Sequence, residues 1–247
     1  MFATLKAEFR KLFTVRSTYL IVGLSALIVI FFTFYVEGLR AGDSAKMATK
    51  LASEVPGAVG AVSLLGALVG VLLMTHEYRY NTIMYTLTAA RRRTRVLFAK
   101  IVAVSTFAVL FTLFIAVLSP AMAYLGMHIK GLDIAPQQFP WVDLLWQALF
   151  YGWAYSMIGL LFAALFRSQV GAIVALFFAP TVEHIASLLL KENSKYLPFD
   201  ALGQVLQAGA VGRSDGLTTM HAALAVSGYL LAGWLIAWIL FVRRDAN

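Results

Sequence analysis

The run Ile101–Leu125, IVAVSTFAVLFTLFIAVLSPAMAYL, carries no charged side chain. A helix needs about 20 apolar residues to cross the hydrocarbon core of a bilayer, so this run is long enough to span it. A lone strand there would leave its backbone N–H and C=O groups unpaired in lipid, which makes the span helical. Outward from it, similar runs lie at about Tyr19–Val36, Pro56–Thr75, Leu144–Phe166, Val170–Leu190 and Ala222–Val242. Pro56 suits the first turn of its helix. The period-two alternation of a membrane barrel is absent. The expectation is an all-α membrane protein of six transmembrane helices, one domain over residues 1–247.

Composition agrees. Hydrophobic residues make up 61% and charged residues 13% of the 247, with a mean hydropathy of +0.81. A soluble domain carries about 25% charged residues, so a soluble enzyme is excluded, and six spans leave no length for a separate catalytic domain. The first apolar run exceeds the 7–15 residues of a signal-peptide core and reads as a retained helix. There is no cysteine, which removes disulfides, thiolate nucleophiles, iron–sulfur clusters and cysteine-ligated zinc.

The net charge of +8 would suggest nucleic acid in a soluble chain, but in a membrane protein its distribution matters more than its sum. With six spans, one face receives Lys6, Arg10, Lys11, Arg16, Arg79, Arg91, Arg92, Arg93, Arg95, Lys100, Arg167, Arg243 and Arg244, against only Glu8, Glu77 and Asp245. The asymmetry places both termini in the cytoplasm, and no nucleic-acid partner is expected. Small residues recur four apart at Gly66 and Gly70, Gly152 and Ser156, Gly159 and Ala163, and Gly171 and Ala175, which lets helix backbones approach closely. No internal repeat of the kind found in many secondary transporters is visible.

Before the first span, residues 1–17 read as an amphipathic helix lying at the membrane surface. Phe2, Leu5, Phe9, Leu12 and Phe13 share a face, and Lys6, Glu8, Arg10 and Lys11 mostly fall elsewhere. A basic flank that merely orients the first span is the simpler alternative. Between the second and third spans, residues 76–100 are longer than a structural loop requires. This segment runs from His76, Glu77, Tyr78, Arg79 and Tyr80 through Thr82 and a short helical stretch to Ala90, then Arg91–Arg95 and Lys100. The arginines alone read as an anchor for anionic headgroups. Charges of both signs at Glu77 and Arg79 are what a protein partner reads.

At these residues the chain resembles the membrane subunits of ABC transporters of the ABC-2 permease type. In that family an elbow helix precedes six spans, and the loop after the second span carries a Glu, a basic or polar residue, a Thr, a short coupling helix and a basic stretch ending in Lys. Glu77, Arg79, Thr82, the stretch to Ala90, Arg91 to Arg95 and Lys100 match in turn, but the family's glycine after the Glu has no counterpart, with Tyr78, Arg79 and Tyr80 in its place. The resemblance implies the ABC-2 (type V exporter-like) fold and a permease dimer, homomeric or heteromeric, in the inner membrane of a bacterium or archaeon. Each half would dock on a separate ABC ATPase subunit that carries the ATP and Mg. The coupling interface would comprise Glu77, Tyr78, Arg79, Thr82, Arg91 and Arg92, with Lys6, Glu8 and Arg10 on the elbow. Export of a hydrophobic or amphipathic substrate, such as a drug, peptide antibiotic or lipid, is likewise what the resemblance implies. The chain has no GxxxxGK[ST], so it holds no ATPase site or cofactor of its own.

Beyond Leu190, Lys191–Pro198 is polar, and Phe199–Val211 is apolar but too short to span. It reads as a re-entrant or surface helix in the outer loop, 191–221. The family resemblance suggests short helices at Thr181–Leu190 and Phe199–Gln207. Glu183 and His184 lie about 20 Å above Val170 at 1.5 Å per residue, and an ionisable residue at that depth is a candidate pathway group. The alternative is that Pro180 ends the helix and both groups meet water. HExxH and GxSxG are absent, and the histidines at 76, 128, 184 and 221 are scattered, so metal-dependent or serine hydrolysis is not expected. An ion-gradient-driven transporter or channel is the rival class. It would need acids near the midplane, and spans two, three and six have none there.

Overall fold

The computed structural model describes residues 2–39, 47–80, 82–85, 93–131, 141–207 and 217–243. Helix α1 (Phe2–Thr14) ends at Val15, whose extended backbone turns the chain into α2 (Arg16–Ile30). This helix continues as a π-helical stretch over Phe31–Leu39. Then come α3 (Met47–Arg79), α4 (Arg93–Ile129), α5 (Trp141–Phe166) and α6 (Gln169–Leu190). A 3₁₀ stretch (Lys191–Tyr196) leads to α7 (Pro198–Gln207), and α8 (Thr219–Arg243) follows. Six of these, α2 with its continuation, α3, α4, α5, α6 and α8, are long and apolar enough to cross a membrane. The chain is a multi-pass membrane protein.

α3 and α4 outrun their apolar runs at both ends, and Pro56 sits inside α3 rather than in its first turn, whereas α6 keeps the expected bounds and continues through Pro180 to Leu190. An internal proline removes one helical hydrogen bond, whereas ending the helix would orphan four carbonyls where no water can satisfy them. Continuation is the cheaper choice, and Thr181–Leu190 is the last part of α6 rather than a separate helix. Residues 199–207 do form the short outer helix the sequence suggested. Residues 208–216, Arg91, Arg92, Arg244 and Asp245 lie outside the described residues.

The core is the seam between α3 and α5, with α4 against both. A Cβ on Gly70 would meet the Ser156 carbonyl oxygen at 2.8 Å, and one on Gly159 would run into the Ala67 carbonyl. At these positions only glycine lets the backbones meet. The Gly171–Ala175 pair does not belong to this seam: the atoms nearest a Cβ on Gly171 are those of Phe166, at the end of α5, and of Ser168. α6 buries little besides Ala172, Leu176 and Glu183, and Val170, Val174, Phe177 and Phe178 on it are exposed.

The first helix, the start of α4 and the last turn of α8 come to one end of the bundle. Arg93, opening α4, donates to the Val242 carbonyl near the end of α8 at 3.4 Å, and α1 packs on α4. This is the basic end. α7 lies at the opposite end against α5 and α8.

Candidate functional site

At the basic end four charged side chains from three helices converge. Lys100, near the start of α4, is fully buried, as is Glu8 of α1, and Glu77 of α3 is 4% exposed. An ammonium has three donors, and three oxygens surround the Lys100 Nζ: Glu8 Oε2 at 2.9 Å, Glu77 Oε1 at 3.0 Å and the Leu73 carbonyl at 3.1 Å. Lys11 closes the group, donating to Glu8 Oε1 at 2.7 Å and to Glu77 Oε1. Two cations face two carboxylates, so the cluster is neutral as a whole. Any member alone would pay the full cost of a charge removed from water.

Lys11 is the partly exposed member. Burial by itself lowers its pKa, but hydrogen bonds from Nζ to Glu77 and Glu8, with the charge of both, outweigh that and hold it above the ordinary lysine value. A cavity of about 260 Å³ opens beside the cluster, lined by Lys11, Leu12, Ser17, His76, Glu77 and Tyr80 among others.

The cluster corrects the reading of α1. Glu8 is on the buried face with Leu12, while Lys6 and Arg10 are exposed as expected, and Phe13 is turned outward. Residues four apart share a helix face, so Glu8 necessarily goes where Leu12 goes. The expectation set Glu8 mostly apart from the apolar face, but the position beside Leu12 is filled by this carboxylate, whose counter-ion waits on α4.

The segment after α3 divides in a way its sequence did not announce. Glu77 points into the cluster. Tyr78 is half-buried, with the Arg167 guanidinium 5.8 Å from its ring centroid. Arg79 is exposed and donates to Gln169 Oε1 at 3.3 Å. Thr82 is exposed, and its N–H donates to the Glu77 carbonyl at 2.9 Å, folding the chain back under the helix end. A helical turn over 83–85 follows, with Ile83 buried and Tyr80, Met84 and Tyr85 exposed. Lys100, expected at the end of the basic stretch, and Lys11, expected among the charges of α1, are the functional candidates whose pairing with Glu8 and Glu77 sequence reasoning did not supply. The Glu8–Lys11 spacing of three was a legible signal, but the reach to Lys100 was not.

A family model described as a protein of unknown function, DUF2705, matches residues 14–246. The chain belongs to that family. In this DUF2705 chain the matched range takes in all six membrane helices with Glu77 and Lys100, and begins after Glu8 and Lys11. No curated protein matches the chain.

Glu183 and His184 part company at the opposite end. Glu183 is buried and its Oε1 accepts the N–H of Asp200 at 2.6 Å, in the first turn of α7. A carboxylate there satisfies a donor the helix cannot and complements the positive end of the helix dipole. His184 is exposed, and its carbonyl accepts from the Ser187 hydroxyl at 2.7 Å. The two do not form a joint site. Among the described residues no group of His, Asp and Glu is arranged to hold a metal.

Proposed function

We propose that this chain is the membrane-spanning permease subunit of an ABC transporter of the ABC-2 type, driven by a separate nucleotide-binding subunit. The observation that carries the reading is the ionic cluster. It fastens the surface-lying N-terminal helix to the end of α3 and the start of α4, so a push on the loop between those helices moves all three together. Around the buried Ile83, the exposed Tyr80, Met84 and Tyr85 offer the partner an aromatic and apolar contact. In this reading the basic end is cytoplasmic, in keeping with the positive-inside rule. Two copies of the chain, or this chain and a relative, flank a pathway for a hydrophobic or amphipathic substrate moved outward.

The test is reconstitution. Co-expressed with an ABC ATPase encoded beside it, the chain retains that subunit through purification and stimulates its ATP turnover, and Tyr85→Ala weakens both effects while the chain stays folded. Uphill solute accumulation by the chain alone, driven by a proton or sodium gradient without nucleotide, overturns the reading.

A further inference from the structure

A second charged feature lies at the basic end, on the other side of α3 from the ionic cluster. An open cleft of about 590 Å³ is lined by Tyr78 and Arg79 of α3, by Arg167 and Ser168 between α5 and α6, and by Gln169, Val170 and Ile173 of α6. Two guanidinium groups border it, and none of these lining residues is acidic. The start of α6 is part of its wall. The Ser168 hydroxyl already accepts from the Gly171 N–H, and the free N–H groups of a helix's first turn favour an anion.

The position of Arg167 is costly to hold. Its φ of 51° is in the left-handed region, which non-glycine residues rarely occupy. Its N–H donates to the Ala163 carbonyl at 3.0 Å, and its guanidinium reaches the Leu240 carbonyl at 3.4 Å and the Tyr78 ring. These contacts keep the cation at the cleft's edge.

What lies beside the cleft specifies the ligand. It sits where three membrane helices end, at Arg79, Phe166 and Gln169, the level at which headgroups meet water. Val170, which lines it, also begins the exposed apolar stripe Val170, Val174, Phe177 and Phe178 along α6. These positions follow helical spacing and form a continuous track from the cleft into the hydrocarbon. A phosphate held between Arg79 and Arg167 would leave its acyl chains lying on that track. A soluble phosphate would have no use for the stripe, and an acidic protein segment would approach from water rather than along it.

We infer that this cleft is a binding site for the phosphate headgroup of an anionic phospholipid, seated with its acyl chains against α6. The inference does not depend on the permease reading, and its test requires no partner or substrate.

The purified full-length chain, delipidated in neutral detergent, is titrated with phosphatidylglycerol and with phosphatidylcholine of the same acyl chains. Bound lipid is counted by native mass spectrometry and thermal unfolding is followed in parallel. One phosphatidylglycerol is retained in preference to phosphatidylcholine. Arg79→Gln weakens it about fivefold, the effect of one basic residue beside an anionic headgroup. Arg167→Lys preserves binding better than Arg167→Gln, and Val170→Glu, an acid at an exposed cleft position, abolishes the preference. Arg16→Gln, an exposed arginine at the same end but outside the cleft, leaves it unchanged. Should Arg167→Gln fail to fold, Arg79→Gln and Val170→Glu decide alone.

Three results overturn the inference. One is equal retention of the two lipids. Another is a loss with Arg16→Gln as large as with Arg79→Gln, which means diffuse attraction. The third is saturation by glycerol 3-phosphate or inorganic phosphate at the concentrations that suffice for the lipid, which means a soluble ligand.

Discussion

Lys100 reaches back across 92 positions of sequence to hold Glu8 at 2.9 Å, with both side chains fully buried. The bond joins the N-terminal helix α1 to α4, which is long and apolar enough to cross a membrane. Substituting Lys100→Met leaves Glu8 and Glu77 facing one another with only the half-exposed Lys11 between them, and breaking a buried pair in this way costs about 3–5 kcal/mol. Thermal unfolding in detergent is expected to show a large loss for Lys100→Met and a smaller one for Glu8→Gln combined with Lys100→Met. A double-variant loss equal to the sum of the Lys100→Met and Glu8→Gln losses would mean that the two charges do not depend on each other.

The Lys11 contribution has a defined pH window. Its pKa is raised in the folded protein, so the stabilisation is complete below its ordinary value of 10.5 and fades as pH rises through the higher folded value. The difference in melting temperature between wild type and Lys11→Met should stay constant from neutral pH to about pH 10 and shrink only above it. A difference that already falls between pH 7 and 9 would contradict the assignment.

The α3–α5 seam makes a steric prediction. Gly70→Val pushes a side chain into the Ser156 carbonyl, and overpacking of this kind costs about 1–3 kcal/mol. Gly228→Ala on α8 meets nothing within 4 Å and should be neutral or gain up to about 1 kcal/mol from helix propensity. Melting curves of the two variants, recorded side by side, separate packing from propensity.

Glu183 is expected to behave as a cap. Glu183→Ala strips the Asp200 N–H of its acceptor at a cost of about 0.5–2 kcal/mol, and amide exchange should rise over residues 198–207 ahead of the membrane helices. Glu183→Gln keeps an oxygen acceptor and should preserve most of the protection. If Ala and Gln variants exchange alike, the charge rather than the hydrogen bond holds α7.

The spans were readable because lipid imposes a single rule on every residue inside it: uncharged, helical and about 20 residues long. Boundaries were less so for α3 and α4, because a helix runs on past its apolar stretch into polar turns, and Pro56, which suits a helix start, lies within α3. The basic end was half legible. Glu77 was marked by its company of aromatic and basic neighbours, but its inward direction depends on Lys11 and Lys100, which no local pattern links to it. Glu8 was misplaced because a helical projection ranks faces by apolarity and cannot see a counter-ion on another helix. Glu183 stood out in the sequence as an ionisable residue in an apolar run, but its partner is a backbone N–H, which every residue except proline has and which therefore leaves no mark in the sequence.

The separation of Glu8 from Lys100 also sets an order of biogenesis. When Glu8 leaves the ribosome only Lys11 of its two counter-ions follows directly, and the two membrane-length helices α2 and α3 lie between it and Lys100. Until Lys100 arrives the Glu8 carboxylate has Lys11 alone as its partner and stays hydrated. Docking of the N-terminal helix is therefore a late event in maturation at this end of the protein, and nascent chains arrested before residue 100 should leave it accessible to surface labelling.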